Sequence, residues 1–188
     1  MLNPAYKKDN TKELIQLAQN GNIKALENLI RNEQRHIYAM FSHLTDKRED
    51  ISDLTQEVLL KMAKNISKLN NIDNFRAWLN KIITNTFNDY IKKSSTNLVE
   101  INEEKLNEIK DKLGCEPGEK CLFAEIEKLI KSALLTLPQT LRLSLILREY
   151  EGLSYEDISK ITNTTLGTVK SRIARARMKL QEELKEFI

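Results

Sequence analysis

The sequence predicts an all-α protein of two small helical domains joined by an acidic flexible linker, the second domain being a helix-turn-helix. Three observations predict it. Apolar residues recur at steps of three and four through most of the chain, the spacing that gives a helix one buried face. Only 5 Gly and 3 Pro interrupt 188 residues, so turns are few. The rhythm fades between Ser94 and Lys120, where acidic residues and breakers collect, and resumes near Leu122.

Composition sets the outer limits. With 40% hydrophobic residues the chain can build real cores, and with 30% charged residues it does not read as a membrane protein. No apolar run approaches the roughly 20 residues of a membrane span. The start Met1-Leu2-Asn3-Pro4-Ala5 lacks the basic-then-apolar pattern of a secretory signal, so a cytoplasmic location is expected. The net charge of +3 is unevenly spread: cations concentrate in the terminal helix, while the middle of the chain is acidic. Cys115 and Cys121 have neither CxxC spacing nor a nearby His, so free thiols in a reducing compartment are expected, with no metal and no cofactor.

Residues 1–95 read as the first domain. Helices Lys12–Gln19 and Ile23–His36 carry Leu14, Leu17, Ala18, Ala25, Leu26, Leu29 and Ile30, with Gly21 as a hinge between them. The next helix, Ile51–Leu69, places Ile51, Leu54, Val58, Met62, Ile66 and Leu69 on one face and Asp53, Gln56, Glu57 and Lys61 outside. A polar loop, Asn70–Asn74, follows, in which Asp73 or Asn74 can cap the helix Phe75–Ile91. That helix buries Phe75, Leu79, Ile82 and Ile83, with Trp78, Asn85, Asp89 and Tyr90 nearby. Trp78, next to Leu79, is expected in the core rather than as a stacking platform.

Residues 96–121 read as the linker. Glu100, Glu103, Glu104, Glu108, Asp111, Glu116 and Glu119 outnumber the lysines, and Gly114 and Pro117-Gly118 add breakers. Leu106, Ile109 and Leu113 permit a short helix within it.

The second domain spans residues 122–188. Ile126, Leu129, Ile130 and Ala133 mark one helix, and Pro138 opens another through Glu149. Ser154 is an N-cap candidate for the helix Ser154–Ile161, with Glu156 in its first turn. Asn163-Thr164-Thr165 breaks the rhythm, and a last helix follows with Leu166, Val169, Ile173, Ala176 and Leu180 on one narrow face. On a wheel of about 100° per residue, Ser171, Ala174, Arg175 and Met178 fall opposite. Lys170 and Arg177 flank that ridge on one side, Arg172 and Lys179 on the other. No acidic residue interrupts Thr165–Gln181. Such a ridge suits the base edges of a major groove, its shoulders reaching the phosphate walls. A solvated, cation-rich surface helix is the lesser alternative on charge alone, and the helix-turn-helix frame lowers it further.

Two segments then meet a family. Asp50-Ile51-Ser52-Asp53-Leu54-Thr55-Gln56-Glu57-Val58-Leu59-Leu60-Lys61, with Phe75-Arg76-Ala77-Trp78-Leu79 and Ile83-Thr84-Asn85-Thr86, resembles the second conserved region of bacterial RNA polymerase sigma factors of the extracytoplasmic-function type. Leu137-Pro138, Leu147-Arg148-Glu149, Glu151–Ile158 and Gly167–Arg177 resemble the fourth. The resemblance spans nearly the whole chain, and the pair in this order is far more specific than either part.

The resemblance implies core RNA polymerase and promoter DNA as partners. It assigns Asp53, Leu54, Gln56 and Glu57 to an exposed face that docks on the polymerase. It assigns the loop residues Asn70 and Asn71 and the helix residues Asn85 and Asp89 to the capture of an unstacked base in the melted, minus-ten-type element. Lys170, Ser171, Ala174 and Arg175 would read the minus-thirty-five-type element. Arg148, Tyr155 and Thr168 match phosphate-touching positions, and Arg172, Arg177 and Lys179 are phosphate or surface cations. Two departures matter: Ala174 is small, which leaves contact to a thymine methyl or none, and Lys170 lacks the bidentate grip of Arg on guanine. Many relatives are held inactive by an anti-sigma factor; such a partner stays open here, marked by no residue.

Two other functions compete. A stand-alone helix-turn-helix regulator would bind a palindrome unaided, against which the paired DLTQE and FRAWL segments speak. An enzyme finds little support: His36 and His43 lie outside any HxE or HExxH arrangement, and Gly114 and Gly118 lack Walker spacing. No catalysis is expected.

Overall fold

The computed structural model describes residues 8–96 and 119–185. Eight α-helices organise them: α1 (Lys8–Gln19), α2 (Ile23–Leu44), α3 (Arg48–Asn65), α4 (Phe75–Thr96), α5 (Glu119–Thr136), α6 (Gln139–Glu149), α7 (Tyr155–Thr162) and α8 (Leu166–Leu184). The described residues contain no strand, in line with the all-α expectation.

Local chemistry places the helix starts. Gly21, at φ 84°, turns the chain, and the Asn22 side chain accepts from the Ala25 amide at 3.1 Å to start α2. This helix runs well past the expected end at His36. Ile37, Met40, Phe41 and Leu44 continue the apolar spacing, and all are buried. The third helix stops short of the expected Leu69, because Ile66–Lys68 tighten into a 3₁₀ turn. The fourth begins at Phe75 as expected, and it is Asn71, not Asp73 or Asn74, whose side chain caps the turn before it.

Helices α1–α4 form one bundle and α5–α8 a second. In the second, α6 is central: every residue from Leu141 to Leu147 is buried, Arg142 and Ser144 included. A helix apolar on nearly all sides has to be covered on all sides. It packs on α8 and α7 within its own bundle and on α2 of the other. Helix α5 also meets α2, and α7 meets α4. The buried side chains of both bundles consequently form one continuous cluster. On α5, Ala133 and Leu134 are buried, while Ile126 and Ile130, grouped with the apolar set in the sequence, are exposed.

The expected flexible linker, its short helix and Cys115 lie outside the described residues. At its edges, α4 carries Ser94–Thr96 and α5 starts at Glu119.

Candidate nucleic-acid interface

The helix-turn-helix is built by two caps and a left-handed turn. The Ser154 hydroxyl accepts from the Asp157 amide at 3.0 Å and starts α7. Asn163, at φ 53°, ends it in the left-handed region, which Asn tolerates better than most residues because its short polar side chain can bond locally. Thr165 then caps α8, accepting from the Thr168 amide at 3.2 Å. Val169, Ile173 and Ala176 are buried and Leu166 and Leu180 half-buried, as the periodicity requires. Ser171, Ala174, Arg175 and Met178 are exposed along the opposite ridge, with Lys170, Arg177 and Lys179 exposed beside it and Arg172 half-buried.

Not all of these groups are idle. Lys170, Arg172, Arg175 and Lys179 have no hydrogen-bond or ion-pair partner among the described residues. Arg177, in contrast, donates through Nε to Glu149 at 3.1 Å, and this contact raises its pKa further. Arg148 is half-buried: it donates to the Leu153 carbonyl at 2.7 Å, and its guanidinium lies 4.8 Å from the Tyr155 ring centroid. Those two residues brace the turn between α6 and α7. Thr168 shares a hydroxyl contact with Thr165 at 2.9 Å.

In the first bundle, Asp53, Gln56 and Glu57 are exposed along α3. Glu57 pairs with Lys61 at 2.7 Å, and Lys61 also donates to Thr86 of α4 at 3.0 Å. Leu54 does not belong on that exposed face. It is 5% exposed and part of the core, because it lies on the apolar stripe with Ile51 and Val58. Asn85 and Asp89 are exposed on α4, and Asn70 and Asn71 on the preceding loop. Tyr90 donates to Asp50 at 2.6 Å, which fixes α3 against α4.

A cleft of about 430 Å³ joins the two bundles, lined by Asn70, Asn71, Asn74 and Trp78 on one side and Asp157 and Lys160 of α7 on the other. Trp78 is half-buried and packs against the core as expected, its ring 5.9 Å from that of Phe75, while its outer side forms part of the cleft wall.

Sequence reasoning passed over the polar groups beside this cleft. Lys81 donates to the carbonyls of Lys160 and Ile161, at 3.0 and 2.8 Å, meeting the negative C-terminal end of α7. Asn80, wholly buried, donates to Glu151 at 2.8 Å. The other Glu151 oxygen lies 3.1 Å from His36 Nε2, and neither atom has a further partner. Behind them the fully buried Glu33 pairs with Arg76 at 3.0 Å. Burial pushes the Glu33 carboxyl above its ordinary range in spite of Arg76 and His36. At Glu151 burial acts the same way, but the bond and charge of His36, the Asn80 amide and Arg76 outweigh it and hold the carboxyl below 4.5.

Arg142 donates to the carbonyls of Leu44, Leu135 and Leu137 at 2.6, 2.6 and 2.8 Å. Burial lowers its pKa to about 10, which leaves it charged at neutral pH. A signal for two of these groups existed. Glu33 stands on the apolar stripe of α2 between Leu29 and Ile37, and Arg142 sits inside the run Leu141–Leu147.

Among the described residues no group of His, Cys, Asp or Glu is placed to hold a metal ion, and no helix is long and apolar enough to cross a membrane.

Residues 29–96 match Sigma-70 region 2, and residues 127–180 match Sigma-70, region 4. The chain is 30% identical over 183 residues to the ECF RNA polymerase sigma-E factor of Haemophilus influenzae, covering 93% of this chain and 95% of that one. It is 28% identical over 186 residues to the ECF RNA polymerase sigma-E factor of Escherichia coli, covering 93% and 94%. Among solved structures it resembles the sigma factor RpoE in complex with the anti-sigma factor NepR from Bartonella quintana. That likeness has a TM-score of 0.65 at 27% identity and covers 87% of this chain and 98% of that one. The fold is also shared with CnrH in complex with the cytosolic domain of CnrY, at a TM-score of 0.63 and 20% identity over 95% and 99% of the two chains.

Proposed function

This chain belongs to the sigma-70 family of RNA polymerase sigma factors, in its extracytoplasmic-function branch, and from that premise we propose which surfaces carry the work. The protein binds core RNA polymerase and directs initiation at promoters, reading a minus-thirty-five-type and a minus-ten-type element. It works in the cytoplasm, beside its polymerase, and has no catalysis of its own.

Residues 1–95 hold the polymerase and the downstream element. The exposed face of α3 formed by Asp53, Gln56 and Glu57 docks on the core enzyme, with Leu54 supporting it from within. Asn70, Asn71, Asn85 and Asp89 take an unstacked base, for which exposed amides offer both donors and acceptors. Residues 122–188 read the upstream element. Lys170, Ser171, Ala174 and Arg175 face base edges, and Arg172 and Lys179 anchor phosphates. Arg177 joins them once it leaves Glu149. Arg148 and Tyr155 act chiefly by holding the turn, and Thr168 presents its hydroxyl at the start of α8. An anti-sigma factor is a fitting further partner, since the Bartonella quintana relative is held by one.

The observation that carries this reading is one chain bearing both an exposed acid-and-amide face on α3 and an unpaired cationic ridge on α8. The test is binding to duplex promoter DNA, measured by fluorescence anisotropy with and without core polymerase. Weak binding alone and tight, specific binding with core is the expected result. Tight specific binding that core leaves unchanged would favour a stand-alone regulator.

A further inference from the structure

We propose that Met178 is a further specificity-determining residue, an apolar contact on α8 for the methyl group of a thymine in the upstream element. The proposal rests on the assignment of the α8 ridge to base edges.

Met178 stands where no packing role holds it. It is 58% exposed, and it is the only large apolar residue of α8 that is exposed. Among the described residues the other methionines, Met40 and Met62, are fully buried and belong to the core. A single exposed apolar residue is ordinary on a protein surface, so its place has to decide. Met178 lies on the outer ridge, four residues after Ala174 and three after Arg175, both exposed. Those steps put it on the same side of the helix as both. Long side chains of a helix lean back toward its N-terminus. That direction carries the thioether of Met178 toward Ala174 and Arg175, and away from Glu182 one turn further on.

The two small features complete one another. Ala174 leaves the ridge low at its middle, and the unbranched Met178 chain, with three rotatable bonds, can spread over that spot. The surroundings are cationic: Lys170, Arg175 and Lys179 share this face, and no acid stands between Thr165 and Gln181 to turn phosphate away. In the major groove the other base edges present donors and acceptors, whereas thymine adds its C5-methyl. An apolar tip on a cationic ridge fits that group. Position follows from the two repeats. Three residues advance a helix by about 4.5 Å, and base pairs stack about 3.4 Å apart. The thymine therefore lies one or two base pairs from the pair that Arg175 reads.

The test uses the full-length chain with core polymerase and a promoter duplex selected by transcription with the wild-type protein. Each thymine of the upstream element is replaced in turn by deoxyuridine, which removes the methyl group and keeps every hydrogen bond. Affinity is read by fluorescence anisotropy. The wild-type protein should lose about fourfold at one or two thymines, the worth of one buried methyl group. Met178→Ala should bind the parent duplex more loosely by about the same factor and lose nothing more on deoxyuridine. Met178→Leu, apolar again, should restore the sensitivity. An element without thymine, no deoxyuridine effect in the wild type, or an effect that Met178→Ala leaves in place would each overturn the proposal. Variants that melt early would make Met178 a packing residue and overturn it as well. Arg175→Ala, assayed on a promoter library, separates the proposal from the reading beneath it. If its base preference shifts while Met178→Ala keeps the deoxyuridine effect, only the methyl contact falls. If neither variant changes preference, the ridge does not face the bases and both fall.

Discussion

Replacing Arg142 by Met tests how much of the closed structure hangs on one buried cation. The guanidinium spans three carbonyls: Leu135 and Leu137, at the end of α5, and Leu44, at the end of α2 in the other bundle. Each is a charge-assisted bond worth about 1.5–3 kcal/mol, so the gross loss is roughly 4.5–9 kcal/mol. Against this stands the relief of not burying the charge, several kcal/mol, together with an Nε that finds no acceptor. Met fills most of the volume, so the cavity contribution is small. The net expectation is a destabilisation of about 3 kcal/mol, within the range for removing one partner of a buried charged contact. For a chain of this size that lowers Tm by roughly 6–12 °C. Arg142→Lys, which keeps the charge but reaches fewer carbonyls, should fall about midway. Thermal melts give the magnitude, and amide exchange gives the place: protection should drop at the ends of both α2 and α5. A loss below about 1 kcal/mol would mean that the three carbonyls find water when the guanidinium goes, and that Arg142 ties nothing together.

Other consequences can be measured alongside. Arg175→Ala, on the centre of the α8 ridge, should cost about 1–3 kcal/mol in binding and relax preference at one or two base pairs. Lys179→Ala should weaken binding to all sequences alike and lower the salt slope by roughly one counterion; promoter-library transcription and salt titration with core would expose a rotated helix if the two effects were exchanged. Asp53→Ala with Glu57→Ala should reduce affinity for core polymerase while moving stability by less than about 1 kcal/mol, since both are exposed and the Glu57–Lys61 pair is worth about 0.3–0.5 kcal/mol. Equal loss of Tm and of core affinity would make those residues structural. The pH dependence has two limbs of opposite cause. Glu151, held below 4.5, contributes stability that is present above that value and lost as pH falls through its folded pKa. Glu33, raised above 4.5, makes stability fall as pH climbs from there through its folded pKa. Glu151→Gln should flatten the acid limb and Glu33→Gln the other in melts taken across pH; unchanged slopes would place neither carboxyl in the network.

Much of the fold was legible because helices are specified by short-range chemistry. The caps at Ser154 and the break at Asn163–Thr165 are written in neighbouring residues, and the start of α4 at Phe75 follows a polar loop plain in the sequence. The inward face of α8 followed from spacing alone, since a helix has a single period. Errors came at ends: α2 ran on to Leu44 because an apolar stripe, once begun, continues as long as there is a neighbour to cover it. Leu54 shows a different failure. A motif read as a block assigns one role to adjacent residues, whereas a helix turns each by about 100°, and so buries Leu54 between exposed Asp53 and Gln56.

The sequence by itself determined that this is a helical sigma factor with a cationic terminal helix, because periodicity, capping and the two family segments are all local patterns. Only the tertiary structure decided which polar groups are available. Arg148 and Arg177 look alike as surface cations in sequence, yet one braces a carbonyl and the other pairs with Glu149. His36, Asn80 and Glu151 carry no mark of their shared contact. Asn80 and Glu151 are 71 positions apart, and Arg142 and Leu44 are 98 apart. A hydrogen bond acts over about 3 Å, so no pattern along the chain can announce it until packing of α4 on α7 and of α6 on α2 has brought the partners together.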